Sequence, residues 1–220
     1  MSSDNFKHAL FAQFARLGKA LGNGYRLEML EFLAQCEYNV ESLARLSDLS
    51  VANASQHLQQ LRQAGLVTTR KEGLHVYYRL TDGEIIELMA VLRRVAERNL
   101  AEVDKLVNSY LKTKDELEPI PAEELLQRVR DGLVTVLDVR PPEEFAAGHV
   151  PGAVNIPLAE LERLWPSFDA DKEIVAYCRG PFCVLAYSAV EKLRSKGLRA
   201  RRLADGYPEW KEAGLPISSA

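Results

Sequence analysis

Two thiols carry the chemistry that this sequence offers most directly. Cys178 and Cys183 lie in the run Cys178-Arg179-Gly180-Pro181-Phe182-Cys183-Val184, immediately after the apolar stretch Glu173–Tyr177. A short continuous apolar run marks a buried parallel strand. In parallel sheets, reactive groups collect at the carboxyl ends of strands, and Cys178 stands at such an end. The thiolate, not the thiol, is the nucleophile. A loop closing onto the next helix supplies amide N–H groups and a helix N-terminus that favour an anion, and Arg179 adds positive charge. Cys183, across the same loop, is a candidate resolving thiol that attacks a modified Cys178. The plainer alternative is a thiol that only packs at the start of the helix. A two-thiol arsenic or heavy-metal site lacks an evident third soft ligand nearby.

A second constellation lies between Val40 and Leu80. Leu43, Ala44 and Leu46 form a short amphipathic segment, and Ser47-Asp48-Leu49 breaks it. Ser50 then caps a helix, Val51 to Ala64, which stops at Gly65. Ala54, Leu58 and Leu61 recur on its buried side. Val51, Ala52, Asn53, Ser55, Gln56 and Gln59 lie toward the other side. Asn and Gln can pair with adenine edges, Ser can donate or accept, and Val or Ala can meet a thymine methyl. Two β-rich runs, Leu66–Arg70 and His75–Leu80, follow around Glu72-Gly73. Helix, turn, helix and two-stranded wing make a DNA-reading arrangement, with Arg62, Arg70, Lys71 and His75 as further candidate contacts. An ordinary helical hairpin with a polar face shares this pattern.

These groups need elements to hold them. Ser3 or Asp4 starts a first helix with Phe6, Leu10, Phe14 and Leu17 apolar, and Gly22-Asn23-Gly24 ends it. A second helix covers about Tyr25–Gln35, with Leu27, Leu30 and Leu33 inward. Both are expected to be core scaffold. After the wing, a helix from Asp82 to about Lys114 carries Ile85, Met89, Leu92, Ala96, Asn99, Val103, Leu106 and Tyr110 at alternating steps of four and three. That is a heptad seam with Asn99 as its one polar member. Such a seam packs on its own domain or on the same helix of a second subunit.

The run Lys112–Pro121 is charged and ends in two prolines, which marks a linker. The expected division is 1–114, a linker at 115–121, and 122–220. In the second half, strands at Leu133–Asp138, Asn155-Ile156, Glu173–Tyr177 and Ala200–Leu203 alternate with helices at Pro121–Arg130, Pro141–Ala147, Leu158–Leu164, Val184–Lys196 and Tyr207–Lys211. Alternation of this kind gives an α/β domain with a mainly parallel sheet.

Two resemblances sharpen this reading. The segment from about Phe11 to Leu100 resembles the ArsR–SmtB winged-helix repressors, through SLARLSDLSVANASQHLQQLRQAGLV and the wing ending EGLHVYYRL. The resemblance implies a homodimer that binds a short inverted repeat in double-stranded operator DNA and represses transcription, with Val51, Ala52, Asn53, Ser55 and Gln56 as base readers. Many relatives carry a Cys-Val-Cys metal site where this chain has Asn39, Val40 and Glu41. The family's other metal site needs Asp and His on the helix after the wing, which here contains no His. No metal and no cofactor are expected, and Cys36 alone cannot supply three or four ligands.

The run Pro121–Ile217 resembles a single rhodanese domain, through LDVRPPEEFAAGHVPGAVNIPL, IVAYCRG and DGYPEWKEAGLPI. The resemblance implies that Cys178 carries sulfur as a persulfide, taken from a donor such as polysulfide or thiosulfate. It also implies that Asp138, Arg140, Glu144, His149 and Gly152 mostly hold loops together. Two positions depart from the family pattern. Pro181 stands where many relatives have Gly and removes an N–H donor. Val184 stands where many have a hydroxyl residue.

Composition fits two small domains. The chain has 220 residues, 47% of them hydrophobic, and a formal net charge of -3, so it is not a basic nucleic-acid binder as a whole. Positive charge is local: Arg45, Arg62, Arg70, Lys71 and Arg79 outweigh Asp48 and Glu72 in the helix-turn-helix and wing. Three cysteines make a disulfide framework unexpected. With no signal peptide and no run long enough to span a membrane, a cytoplasmic protein is expected. Two functions compete: a regulator whose rhodanese half senses reactive sulfur or redox state through Cys178, and a weak sulfurtransferase tethered to a DNA-binding or dimerising module.

Overall fold

A computed structural model describes residues 3–111, 118–164, 168–169 and 171–219. The chain divides into two compact units, Met1–Met89 and Ala90–Ala220. The expected linker at 115–121 falls partly outside the described residues.

In the first unit, α1 (Ser3–Leu21) and α2 (Gly24–Leu33) precede a two-residue strand β1 (Tyr38–Asn39). Then come α3 (Val40–Leu46), α4 (Val51–Gln63), and the hairpin β2 (Val67–Glu72) and β3 (His75–Leu80). Local chemistry sets each boundary. The Asn23, Asn39 and Ser50 side chains accept the backbone N–H groups of Arg26, Ser42 and Asn53, capping α2, α3 and α4. Between α3 and α4 the chain turns at Asp48, whose φ is 52°. Asp is among the few residues that enter this left-handed region readily. Gly65, at φ 79°, ends α4.

Met29, Leu30, Leu43, Ala54, Leu58 and Leu61 form the core of this unit, joined by Leu66, Val67, Tyr78 and Ile85. Strand β1 is an element that the sequence reading did not anticipate. It pairs antiparallel with β3, Tyr38 opposite Tyr78, and makes the wing a three-stranded sheet ordered β1-β3-β2. The expected core role of α1 also needs correction. Phe6, Phe11 and Phe14 are 57%, 57% and 55% exposed. Among the described residues, nothing covers the apolar face of α1.

The helix after the wing is shorter than expected. α5 runs Glu84–Asn99; Leu100 is extended (φ -113°, ψ 102°); α6 covers Ala101–Leu106 and a π-helical turn covers Val107–Leu111. Residues 112–114 lie outside the described set. The break falls at the polar member of the seam. Asn99 donates from Nδ2 to the Val95 carbonyl at 2.7 Å, a local bond of the kind that competes with helix continuation. The seam residues therefore do not form one stripe. Ile85 and Met89 pack into the core of the first unit. Leu92, Asn99 and Leu106 are exposed, and Ala96 and Val103 are half-buried.

The second unit contains α7 (Ala122–Arg130), β4 (Val134–Asp138), α8 (Pro142–Ala147), β5 (Val154–Asn155), α9 (Leu161–Leu164), β6 (Glu173–Tyr177), α10 (Val184–Ser195), β7 (Ala200–Arg202) and α11 (Tyr207–Glu212). Its sheet is parallel throughout, ordered β5-β4-β6-β7. Alternate residues of β4 and β6 serve two cores. Leu137, Ile174 and Ala176 pack with Ala189, Val190 and Leu193 of α10. Val136, Val175 and Tyr177 pack with Leu125 of α7 and Trp210 of α11. A strand buried on both faces must be apolar at every position, as VTVLD and EIVAY nearly are. None of the described helices is long and apolar enough to cross a membrane.

Candidate functional site

Cys178 follows the last residue of β6, and Cys183 is the N-cap residue of α10. The structure joins them as a disulfide with the Cα atoms 6.1 Å apart, inside the usual range for such a bridge. The two residues differ in exposure: Cys178 is 1% exposed, whereas Cys183 is half-buried and its neighbour Val184 is exposed.

The loop between them is held from three sides. Cys183 donates its N–H to the Gly180 carbonyl at 3.1 Å. The Cys178 carbonyl accepts the Tyr207 N–H at 3.0 Å. Gly206 lies so close under the loop that a Cβ there would strike the Arg179 carbonyl group and the Gly180 nitrogen, so this position admits no side chain.

Arg179 is not placed as a bare positive charge beside the thiol. Its Nε and Nη2 donate to the Glu144 carboxylate at 2.6–3.1 Å, and Glu144 is fully buried. The guanidinium thus anchors the loop to α8. Under it lies a second buried pair. Arg140 donates from Nη2 to Asp138 at 2.6 Å and to the Gly148 carbonyl at 2.8 Å, with both side chains fully buried. The Arg140 guanidinium also stacks 4.3 Å from the Tyr207 ring centre. His149 stacks on Phe145 at 3.7 Å and shares a 2.9 Å hydrogen bond between its Nδ1 and the Phe145 carbonyl. Gly152 adopts φ 75° in the turn before β5. Burial pushes the Tyr177 phenol far up from its ordinary value, and its hydroxyl accepts the Val150 N–H at 3.1 Å.

Sequence reasoning did not find Arg93 or Glu209, which complete this surround inside the second unit. Glu209 accepts the Gly206 N–H at 3.1 Å and pairs with Arg93 of α5 at 3.0 Å. A glycine followed three residues later by Glu before a short helix is the only local trace of it.

On the first unit, α4 buries Ala54, Leu58 and Leu61 completely and exposes Val51, Ala52, Asn53, Gln56, Gln59 and Arg62, with Ser55 half-buried. Arg26, also missed from sequence, fixes this helix. It donates to Gln60 of α4 at 2.6 Å and to the Lys19 and Ala20 carbonyls at the end of α1. On the wing, Lys71 and His75 are exposed. Arg70 is also exposed, yet it pairs with Glu37 at 2.9 Å and with Glu72 at 2.5 Å, and Arg79 reaches Glu37 at 3.8 Å. Glu37, outside the wing in sequence, offsets part of its positive charge.

A winged helix-turn-helix unit and a parallel α/β unit with a thiol loop at a strand end define a regulator-type DNA-binding fold joined to a rhodanese-like one. Family models agree: residues 23–69 match the bacterial regulatory proteins of the arsR family, and residues 121–213 match the rhodanese-like domain. The HTH-type transcriptional regulator Rv0324 of Mycobacterium tuberculosis is 45% identical over 211 residues, covering 96% of this chain and 92% of that protein. The chain therefore belongs to the ArsR family of bacterial regulators, in a form that carries a C-terminal rhodanese-like domain. A sulfurtransferase of Allochromatium vinosum is 33% identical over 100 residues, 44% of this chain and 92% of that one. The homodimeric winged helix-turn-helix DNA-binding domain of Mb0332 from Mycobacterium bovis is 42% identical over 46% of this chain and 91% of that fragment, with a TM-score of 0.42.

Proposed function

We propose that this ArsR-family regulator is a homodimeric, cytoplasmic repressor that binds an inverted-repeat operator and senses reactive sulfur through Cys178 and Cys183. The observation that carries the reading is the bond between the two cysteines at the carboxyl end of β6. The chemistry balances without a further oxidant. The Cys178 thiolate attacks a sulfane sulfur of a donor such as polysulfide and becomes a persulfide, while the donor leaves one sulfur shorter with the electron pair of the broken S–S bond. The Cys183 thiolate then attacks the Cys178 Sγ, and the terminal sulfur leaves as hydrosulfide with the electron pair of the broken bond. Two thiols are oxidised and one sulfane sulfur is reduced.

Dimerisation draws support from the exposed apolar faces of α1 and α5, which include Phe6, Phe11, Phe14, Leu92 and Val95. DNA contact falls to the exposed N-terminal face of α4, read from Val51, Ala52, Asn53, Ser55, Gln56 and Gln59, with Arg62, Arg70, Lys71 and His75 on phosphates. Signal transfer draws support from α5, which puts Ile85 and Met89 into the first core and Arg93 onto Glu209 beside the thiol loop. The tethered-sulfurtransferase reading rests on the relative of that name, but a Cys178 that closes onto Cys183 leaves little persulfide to hand on.

Trypsin offers a direct test, because cleavage after Arg179 puts Cys178 on Glu173–Arg179 and Cys183 on Gly180–Lys192. Polysulfide treatment should leave these two peptides joined and release hydrosulfide. A stable persulfide on Cys178 with no joined peptide would return the protein to the sulfurtransferase reading.

A further inference from the structure

A sensor that closes a disulfide must be reopened, and the geometry points to where and by what. We infer that the bridge is reset by a dithiol reductant that attacks Cys183, not Cys178; the inference rests on the sulfur-sensing reading above. Exchange requires the incoming thiolate to reach one sulfur in line with the bond that breaks. In the bridged form Cys178 is 1% exposed. Its carbonyl is held by Tyr207, and Gly206 is packed against the following residues, so the loop cannot lift from that side without displacing α11's first turn. Cys183 is half-buried, between half-buried Phe182 and exposed Val184. The two departures from the rhodanese pattern, half-buried Pro181 and exposed Val184, flank Cys183 in the sequence of the loop.

The reductant's thiolate bonds to the Cys183 Sγ, and the Cys178 Sγ leaves as a thiolate with the electron pair. The expelled Cys178 thiolate stands at the carboxyl end of β6, beside the N-terminus of α10 that Cys183 caps. The expelled thiolate remains close, since the two Cα atoms are 6.1 Å apart. It can re-attack Cys183 and expel a monothiol, closing the bridge again. A dithiol escapes this reversal, because its second thiol attacks its own sulfur, frees the Cys183 thiolate and ends as a disulfide. Two electrons pass to the regulator.

The test uses full-length protein with the bridge formed by polysulfide, and in parallel by diamide, so that the attack site is read even if polysulfide fails to close the bridge. A thioredoxin-type protein lacking its second cysteine serves as the trap, with acid quenching, alkylation and tryptic mapping. The expected adduct is on Gly180–Lys192, with Cys178 alkylated. An adduct on Glu173–Arg179, or an even split, overturns the assignment. In rate measurements at equal thiol concentration, dithiothreitol and an intact dithiol protein should both outpace glutathione by about tenfold or more, the margin expected when an intramolecular thiol competes with a free one. Glutathione matching both dithiols would overturn the dithiol requirement. A faster protein than dithiothreitol would identify the reductant as a protein, and equal rates would leave it a small dithiol.

Discussion

Arg179 and Glu144 form a two-pronged ion pair, with Nε and Nη2 of the guanidinium on the two carboxylate oxygens at 2.6–3.1 Å and the carboxylate wholly out of solvent. The pair ties the residue after the reactive thiol to a helix more than thirty positions earlier. Removing one partner of such a pair leaves a buried charge uncompensated, at a cost of about 3–5 kcal/mol. Glu144→Gln should therefore lower the stability of the rhodanese-like unit by about 3 kcal/mol, less than for a full deletion because the amide still accepts a hydrogen bond. Denaturant unfolding followed by the fluorescence of Trp210, which is buried in this unit, reads the change. A shift below about 0.5 kcal/mol would mean that the pair is a surface-type contact.

Glu37 holds Arg70 and Arg79 on the wing. Glu37→Gln should free Arg79 for phosphate, while Arg70 keeps its pair with Glu72. Operator affinity should rise several-fold, and the slope of log K against log salt should steepen by about one, the effect of roughly one added phosphate contact. Fluorescence anisotropy across a salt series measures both. An unchanged slope would remove Arg79 from the interface.

Arg93 is a half-buried partner of Glu209, itself the residue that braces Gly206. Arg93→Ala should cost under about 1 kcal/mol of stability, as partly exposed pairs do. Yet it should weaken sulfur-dependent release of DNA several-fold while leaving bridge formation intact. The comparison needs operator binding and tryptic mapping on one sample. Full release by the variant would take Arg93 out of the signal path.

His57, on α4, has its pKa lowered from the ordinary histidine value of 6.5 by desolvation first and by Arg26 second, and its Nδ1 is buried without a hydrogen-bond partner in the structure. The folded state thus binds the proton less well than the unfolded chain. The sign follows: the contribution of this group to stability is complete above pH 6.5 and is lost as pH falls through the lower folded value. Unfolding of the first unit between pH 7.5 and 5 should show this loss, and His57→Gln should flatten it, on the pH scale where unperturbed histidine titrates. An identical pH profile in the variant would assign the loss to other groups.

Helix α4 was legible because its signals are local. Ser50 and Gly65 bound it, and Ala54, Leu58 and Leu61 repeat at helical spacing, so periodicity alone gives both its faces. The β4 and β6 runs were legible for the same reason, and the Cys178–Cys183 loop because both thiols lie in one short stretch. What escaped was non-local or too short to carry a pattern. Two residues, Tyr38 and Asn39, cannot announce a strand; β1 exists because β3 offers it an edge. Asn99 sits in register with the heptad, and the seam conceals that its side chain turns back on Val95. Glu37 lies outside the wing in sequence, so a local charge count overstates the basic patch. Arg179 reads as a free cation until the fold sets Glu144 against it.

The claim that the thiol loop governs DNA binding is tested most directly by operator affinity of three samples: reduced protein, polysulfide-treated protein, and treated Cys178→Ser. Treatment should weaken binding of the wild type by about tenfold or more, a shift of about 1.4 kcal/mol, and leave the variant at its reduced-state affinity. Equal binding in all three would mean that the chemistry at Cys178 does not reach the DNA-binding unit.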